Sequence, residues 1–492
     1  MLYTTLSFLV FFALVYVLFW SLRGRVRLYL LLVVSIAFYA FWSWKFALHF
    51  IAIVLINYYF IERLLTNRSR SLLAALLGIN LVNLVFFKYS YFGWQALTDV
   101  FAVLYEYTDF RIFDFLARLN IGARRGFDAL LERSFGVTFI VLPLAISFYT
   151  FQLSAYAVDV YRGKITRSSP LPEFLVFILF FPQLVAGPIM RRDDFYPQLE
   201  RIHELTPEVE RTQRGMFLLC LGLIKKVVIA DNLIRYTEPY FNRPDPWDGP
   251  GLFLAVLGFA ARLYCDFSGY TDMARGLANL LGMELPRNFQ GPYLSTSLSE
   301  TWRRWHMTLS NWLRDYVYIS LGGSRTAPWR TNLNLVLTFM FIGLWHGASY
   351  NFLVFGILHG LILLVERAFG LDKPFAGTSF LRLYFVRPAR IFVTFMLWTI
   401  LLVIFETPDM GRAWTMLSKI LTFADGTVYP HGAAILGFTA VTLFLNALQV
   451  RSGPPTLSSR TTWFLLWIFG CVTIILLGRF AGGGGDFYYF RF

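Results

Sequence analysis

Three of the chain's six histidines, His306, His346 and His359, fall within a stretch of 54 residues, inside or beside apolar segments. An ionisable side chain is costly to keep in such surroundings and is held there by a partner or by a task. A neutral imidazole can take the proton of a hydroxyl as that oxygen attacks a carbonyl or thioester carbon, then return it to the leaving group. The chemistry that suits such a base is acyl transfer. An interhelical hydrogen bond explains a lone membrane histidine as well, so residue type alone leaves both readings open. His49 lies near a helix start, and His203 and His431 lie in loops. The sequence carries no G-x-S-x-G elbow, H-E-x-x-H pair, Walker A loop or strand-following G-x-G-x-x-G. Without a serine elbow, direct transfer through a histidine is the simpler route, although another nucleophile stays open.

The elements that must position these residues follow from length and pattern. His346 sits in "LWHGASYNF" (344–352), within an apolar stretch from 331 to 365. As one helix that stretch would run about 52 Å, too long for a hydrocarbon core of about 30 Å, whereas two full spans need about 40 residues. Two short or broken helices resolve the mismatch, with the break at Gly347 to Asn351 and His346 ending the first of them. Upstream, Ser297 and Glu300 fit a capping box that starts a helix through "TWRRWHMTLSNWLRDYVYI". On it Trp302, Trp305, His306, Leu309, Trp312, Leu313 and Tyr316 share one face, and Arg303, Arg304, Asn311, Arg314 and Asp315 the other. Such a helix suits the membrane interface, either as an anchor alone or with its arginines towards head groups or a phosphorylated ligand.

Composition sets the broader class. The 492 residues are 57% hydrophobic, 19% aromatic and 15% charged, against about 25% charged in ordinary soluble domains. Twelve apolar runs imply an all-α polytopic membrane protein with ten to twelve crossings, several short or broken. No cleavable signal peptide is expected. The net charge of +14 lies mostly in short loops, which points to membrane topology rather than nucleic acid. Arg23, Arg25 and Arg27, then Arg63, Arg68 and Arg70, then Arg162, Lys164 and Arg167 mark cytoplasmic loops by the positive-inside rule and put the N-terminus outside. Cys220, Cys265 and Cys471 are scattered, which gives neither a disulfide framework nor metal spacing.

Three segments depart from simple crossings. "FFPQLVAGPIMRRDD" (180–194) is expected to be re-entrant. Residues 93–134 are near neutral and read as short amphipathic helices on the outer face, for packing or partner docking. Residues 261–330 mix charges, aromatics, glycines and prolines, and irregular polar backbone of that kind must be buried in protein or line a wet cavity.

Seven ordered blocks resemble the membrane-bound O-acyltransferase family and its bacterial polysaccharide branch. They are "ISFYTFQLSAYAVDVYRG" (146–163), "FFPQLVAGPIMR" (180–191), "LGLIKKVVIADNL" (221–233), "YCDFSGYTDMARG" (264–276), the segment 288–325, "GLWHGASYNFLVFGILHG" (343–360) and "DFYYFRF" (486–492). The first 145 residues match mainly in hydropathy. The resemblance implies a single membrane-embedded domain over 1–492, with core motifs at 146–360 and an outer-face insertion at 93–134. Its roughly eleven helices would surround a central tunnel.

The resemblance also implies roles for residues. His346, between Trp345 and Gly347, would be the catalytic histidine, and His306 in "WRRWH" the second characteristic one, with His359 a weaker candidate. Trp345, Tyr350 and Asn351 would shape the pocket, with Trp305 beside it. Asp266 and Ser268 would give supporting hydrogen bonds, and Arg303, Arg304 and Arg314 would attract donor phosphates. The implied reaction moves acetyl from a cytoplasmic thioester, acetyl-CoA or an acyl carrier protein, with no bound cofactor and no metal. The acceptor would be an exported polysaccharide of the alginate type, reached directly or through a periplasmic acetyltransferase partner, at the bacterial inner membrane and in contact with its lipid. Cellulose, peptidoglycan or teichoic acid acceptors remain open, as do an acyl or proton transporter and a scaffold subunit of a secretion complex.

Overall fold

A computed structural model describes residues 3–135, 139–375, 379–451 and 460–480. Apart from an isolated bridge between Trp247 and Thr427, the described residues form helices and loops. The closing block 486–492 lies outside them.

The first helices are α1 (Leu6–Ser21), α2 (Val26–Trp42) and α3 (Trp44–Thr66), then α4 (Arg70–Thr108) and α5 (Arg111–Phe135). Side-chain caps start two of them: Thr5 Oγ1 accepts from Phe8 N at 3.3 Å, and Ser43 Oγ from Phe46 N at 3.4 Å. α3 and α4 are joined by a reciprocal amide pair, Asn57 Nδ2 to Asn80 Oδ1 at 2.8 Å and Asn80 Nδ2 to Asn57 Oδ1 at 2.9 Å, which satisfies two polar groups that hydrocarbon could not. At 39 residues α4 is about 58 Å long. It projects well past a bilayer core, and α5 folds back along it. The expected set of short amphipathic helices over 93–134 is therefore one long hairpin, because the apolar spacing continues through 108 without a breaker until Asp109 adopts φ 51°.

The middle of the chain is α6 (Ile146–Tyr161), α7 (Leu171–Leu179), the single turn α8 (Phe181–Leu184), α9 (Arg192–Glu200), α10 (Val209–Leu223), α11 (Asp231–Asn242) and α12 (Gly249–Leu280). α7 and α8 are too short to cross, and residues 174–190 are buried except Leu175, in keeping with a segment that enters the bundle and turns back. α12 is the central pillar. It is regular to Leu280 and buried along nearly all its length, so the first twenty residues of the segment expected to be irregular are helical. What reads as disorder of pattern is a band of charged residues on a regular helix, Arg262, Asp266, Asp272 and Arg275, spread around about half its circumference.

That band meets a π-helical segment, Ile224–Ala230, between α10 and α11. Lys225 Nζ lies 2.6 Å from Asp272 and 2.9 Å from Ser268 Oγ, and Lys226 Nζ lies 2.6 Å from Asp266 and 2.7 Å from Asp231. π-turns concentrate at functional or strained places, and here one turns two adjacent lysines onto α12. Arg262 and Glu406 approach within 3.6 Å at the far end of the band.

The remaining helices are α13 (Leu298–Arg304), α14 (Met307–Leu313), α15 (Pro328–His346), α16 (Tyr350–Ala368), α17 (Arg387–Glu406), α18 (Met410–Thr422), α19 (Gly432–Arg451) and α20 (Arg460–Phe480). Six helices are long and apolar enough to cross a membrane among the described residues, namely α3, α4, α12, α16, α17 with its preceding π-turn, and α19. α1, α2 and the stretch Leu465–Gly478 are shorter apolar helices. Of the other expected crossings, α6 and α15 are single helices, while 171–189 and 215–235 are broken into the pieces named above. The basic loops gather at one end of the bundle: Trp20 Nε1 donates to Leu280 O at 3.0 Å and Arg27 Nη1 to Leu205 O at 2.6 Å, which brings the end of α12 beside Arg23 to Arg27. Arg162 Nη1 donates to Asp315 O at 3.1 Å, so α14 leads to the same basic end.

Candidate active site

α15 and α16 form a hairpin whose turn is Gly347 to Ser349. Gly347 is extended (φ −173°, ψ 154°), and Ser349 caps α16 by accepting from Phe352 N. His346 is thus the last residue of α15, about 28 Å from its start at Pro328 and at the end of the bundle opposite the basic loops. The two helices lie very close. A Cβ at Gly343 would stand 2.0 Å from Phe352 O, and one at Gly356 2.3 Å from Phe339 O, so only glycine permits this approach.

A helix end leaves carbonyl oxygens without helical donors, and α4 supplies donors to this one. Tyr89 Oη donates to Leu344 O at 2.8 Å, and Lys88 Nζ donates to Trp345 O and, at 3.4 Å, to Ser147 Oγ. Lys88 and Tyr89 close the first-half run "LVNLVFFKY", and sequence reading passed over them; the available signal was an ionisable residue within an apolar run.

Aromatic rings connect the three histidines. His346 is buried, 4.9 Å from the Trp345 ring centroid, 5.2 Å from Phe405 and 6.4 Å from Phe355. His306 is fully buried, 5.6 Å from Trp345 and 4.7 Å from Phe267. His359 is fully buried, 4.4 Å from Phe355, and its Nδ1 accepts from Trp302 Nε1 at 3.2 Å, which puts the proton of the neutral ring on Nε2. Trp345 is therefore shared by His306 and His346, and Phe355 by His346 and His359.

The backbone at His306 corrects the expected helix. Ser297 caps α13 as anticipated, with Oγ accepting from Glu300 N at 3.1 Å, but the Glu300 carboxylate reaches Thr296 N and Oγ1, at 2.7 and 2.8 Å, instead of closing the box on Ser297. α13 then stops at Arg304, and His306 takes left-handed φ 43°, ψ 53° before α14 begins. This conformation costs a residue with a Cβ about 1–2 kcal/mol. It directs the His306 ring to Phe267 and Trp345 in the protein interior, the side its aromatic face implies, through a break rather than one continuous helix.

The other expected site residues are spread more widely. Trp305 packs on Phe289 and Trp398 at 5.0 and 5.1 Å. Asn351 Nδ2 donates to Thr407 O at 2.8 Å, tying α16 to the end of α17. Tyr350 is 41% exposed and donates to Asp99 of α4 at 2.8 Å, so it does not meet the His346 ring. Asp266 and Ser268 hold the buried lysines described above. Arg303 donates to Asp372 O at 3.1 Å, Arg304 pairs with Glu300 at 2.6 Å and Arg314 with Asp315 at 2.7 Å. Beside His346 a cavity of about 520 Å³ is lined by Lys88, Glu238, Gly347, Asn351, Phe405 and Glu406 among others. No group of three or more His, Cys, Asp or Glu side chains is placed to hold a metal among the described residues.

Residues 137–405, which include the histidine cluster, match the sequence model of the membrane-bound O-acyltransferase family. The chain belongs to that family. It is an O-acyltransferase and a multi-pass membrane protein of the all-α architecture seen here. The chain is 36% identical over 433 residues to the probable alginate O-acetylase of Azotobacter vinelandii, covering 87% of this chain and 79% of that protein. It is 36% identical over 429 residues to the probable alginate O-acetylase of Pseudomonas aeruginosa, covering 86% and 75%. A peptidoglycan O-acetyltransferase of Helicobacter pylori is 32% identical over 363 residues, covering 69% and 64%. In this membrane-bound O-acyltransferase Lys88 and Tyr89 come from α4, which precedes the family-matched segment.

Proposed function

We propose that this chain moves an acetyl group from a thioester donor on the cytoplasmic side to a hydroxyl of an exported polysaccharide of the alginate type, at the bacterial inner membrane. One observation carries the reading: a buried histidine ends a helix one residue before the turn that lines a cavity, on the far side of the bundle from the basic loops. By the positive-inside rule those loops are cytoplasmic and the cavity opens to the outer face. The substrate class is supported by the names of the alginate O-acetylase relatives.

His346 is the general base. Its imidazole takes the acceptor hydroxyl's proton as that oxygen bonds to the thioester carbon, and passes the proton to the departing sulfur as the carbon–sulfur bond breaks, releasing a thiol. Lys88, on the cavity wall and anchored to Trp345 O, offers an N–H donor where the tetrahedral oxyanion forms. Trp345 and Phe405 keep the base oriented and dry. His306 orders Trp345 from the other side. A periplasmic acetyltransferase partner would receive the group at the same outer cavity. Membrane lipid surrounds the bundle.

The test is to express the chain in a bacterium deleted for its own polymer acetylase and supply isotopically labelled acetyl donor. Labelled esters on uronate polymer are expected. Label appearing in peptidoglycan instead, the acceptor named for the Helicobacter relative, would replace the alginate assignment, and no polymer label at all would remove the acetyl-transfer reading.

A further inference from the structure

A second cavity, of about 260 Å³, lies between α10, α12 and α19 at the basic end of the bundle. Its rim holds Arg214, Arg275 and Arg287, and Lys225 lies deeper, against the single lining carboxylate of Asp272. The charges are unequally engaged. Lys225 is already bonded to Asp272 and Ser268. Arg275 donates to Leu285 O at 3.3 Å and stands 3.9 Å from Asp272, while Arg214 pairs with the exposed Glu284 at 3.1 Å. Arg287 is exposed. The walls are apolar, with Leu218 and Leu221 facing Leu445 and Leu448.

Asn288 is the decisive group. It is 1% exposed and lines the cavity, its Oδ1 accepts from Thr308 N at 3.2 Å and Thr308 Oγ1 at 2.6 Å, and its Nδ2 has no acceptor among the described residues. A buried donor left without an acceptor is expensive. An anion that reaches Nδ2 from the cavity would remove that cost.

We propose that this cavity binds the phosphate group of an amphiphile, with Arg275, Arg287 and Asn288 Nδ2 on the phosphate oxygens and the apolar chain between α10 and α19. Arginine suits phosphate because its planar fork gives paired donors. The basic end lies at the level where the anionic head groups of the cytoplasmic leaflet attract arginine. Two sources offer this chemistry, an acidic phospholipid of that leaflet and the phosphate-bearing carrier of the donor thioester. Both meet the same three residues, and neither needs Arg303, Arg304 or Arg314, which line neither this cavity nor the outer one. The site also touches the histidine cluster. Met307 N donates to Asn288 O at 3.0 Å, so the residue that reads the phosphate holds the chain immediately after His306.

Binding of fluorescent phosphatidylglycerol to the purified full chain in neutral detergent tests this, with diacylglycerol as the phosphate-free comparison and coenzyme A as competitor. Phosphatidylglycerol should bind at least about tenfold more tightly than diacylglycerol, and Arg287→Gln and Asn288→Asp should each weaken it at least about tenfold. Asn288→Asp keeps the Thr308 acceptor and puts a carboxylate oxygen that repels phosphate in place of the amide donor, and Arg287→Gln alters an exposed side chain, so both should elute as the wild type does on gel filtration. Displacement of the lipid by coenzyme A, with the same variant sensitivity, assigns the phosphate to the donor carrier; tight binding that coenzyme A does not disturb assigns it to the lipid. Equal binding of phosphatidylglycerol and diacylglycerol, or variants that bind both phosphate ligands as tightly as wild type, would overturn the site.

Discussion

Lys88 reaches the end of α15 beside His346 because a helix end leaves carbonyls free to accept from a side-chain donor without breaking backbone hydrogen bonds elsewhere. Lys88 holds the Trp345 carbonyl and faces the outer cavity. Replacement by methionine keeps the aliphatic stem and removes the donor. Lys88→Met should therefore lower the transfer rate about 10²-fold or more, in the range found for loss of an oxyanion donor, while Lys88→Arg retains part of it. Single-turnover rates on purified protein would show this, and an undiminished rate in Lys88→Met would leave the lysine a purely structural clamp. His359 belongs to a different class of effect. Its Nδ1 is the acceptor for buried Trp302 Nε1, so His359→Leu should cost about 1–3 kcal/mol of stability, visible as a lower melting temperature.

At the scale of elements, the α15–α16 hairpin rests on glycine. A methyl group at Gly343 would overlap the Phe352 carbonyl, so Gly343→Ala should separate the helices, displace His346 and reduce both folded yield and transfer. Wild-type yield and rate in that variant would contradict the close packing. The hairpin and its turn were legible in the sequence because length arithmetic forbids one straight helix over 331–365 and Gly347, Ser349 and Asn351 interrupt the apolar pattern. The break at His306 was not. Trp302, Trp305, His306, Leu309 and Trp312 all fit helical spacing, and a left-handed histidine leaves no compositional mark where glycine or asparagine would. The helix lengths of the α4–α5 hairpin were hidden for a related reason: mixed charge over 93–134 resembles short surface helices, yet it is carried by the last turns of α4 and by the single long helix α5.

On the scale of the whole molecule, two cavities at opposite ends flank the histidine cluster, with α12 and its buried charges running between the levels they occupy. The pairing of Lys226 with Asp231 and Asp266 places three ionised groups out of water. Removing one partner from such a group strands the others, so Lys226→Met should destabilise the fold by about 3–5 kcal/mol. Thermal unfolding in detergent measures it, and an unchanged melting temperature would show that water reaches the pair. The family, the helical class and the apolar segments could be read from the sequence, since hydropathy and motif order survive without coordinates. The partners of Asp266, Ser268, Tyr350 and Arg304 could not, because each is set by a residue distant in sequence or by an alternative local acceptor.

The central claim is that a histidine at the end of α15 performs the proton transfer. The most direct measurement is acetyl transfer from acetyl-CoA to uronate oligosaccharide by purified protein in lipid nanodiscs, comparing wild type with His346→Gln, which retains a polar side chain of similar size. The variant should keep the wild-type melting temperature and lose about 10²- to 10⁴-fold in turnover, the usual worth of a general base. Turnover within a few-fold of wild type in a correctly folded His346→Gln protein would contradict the account.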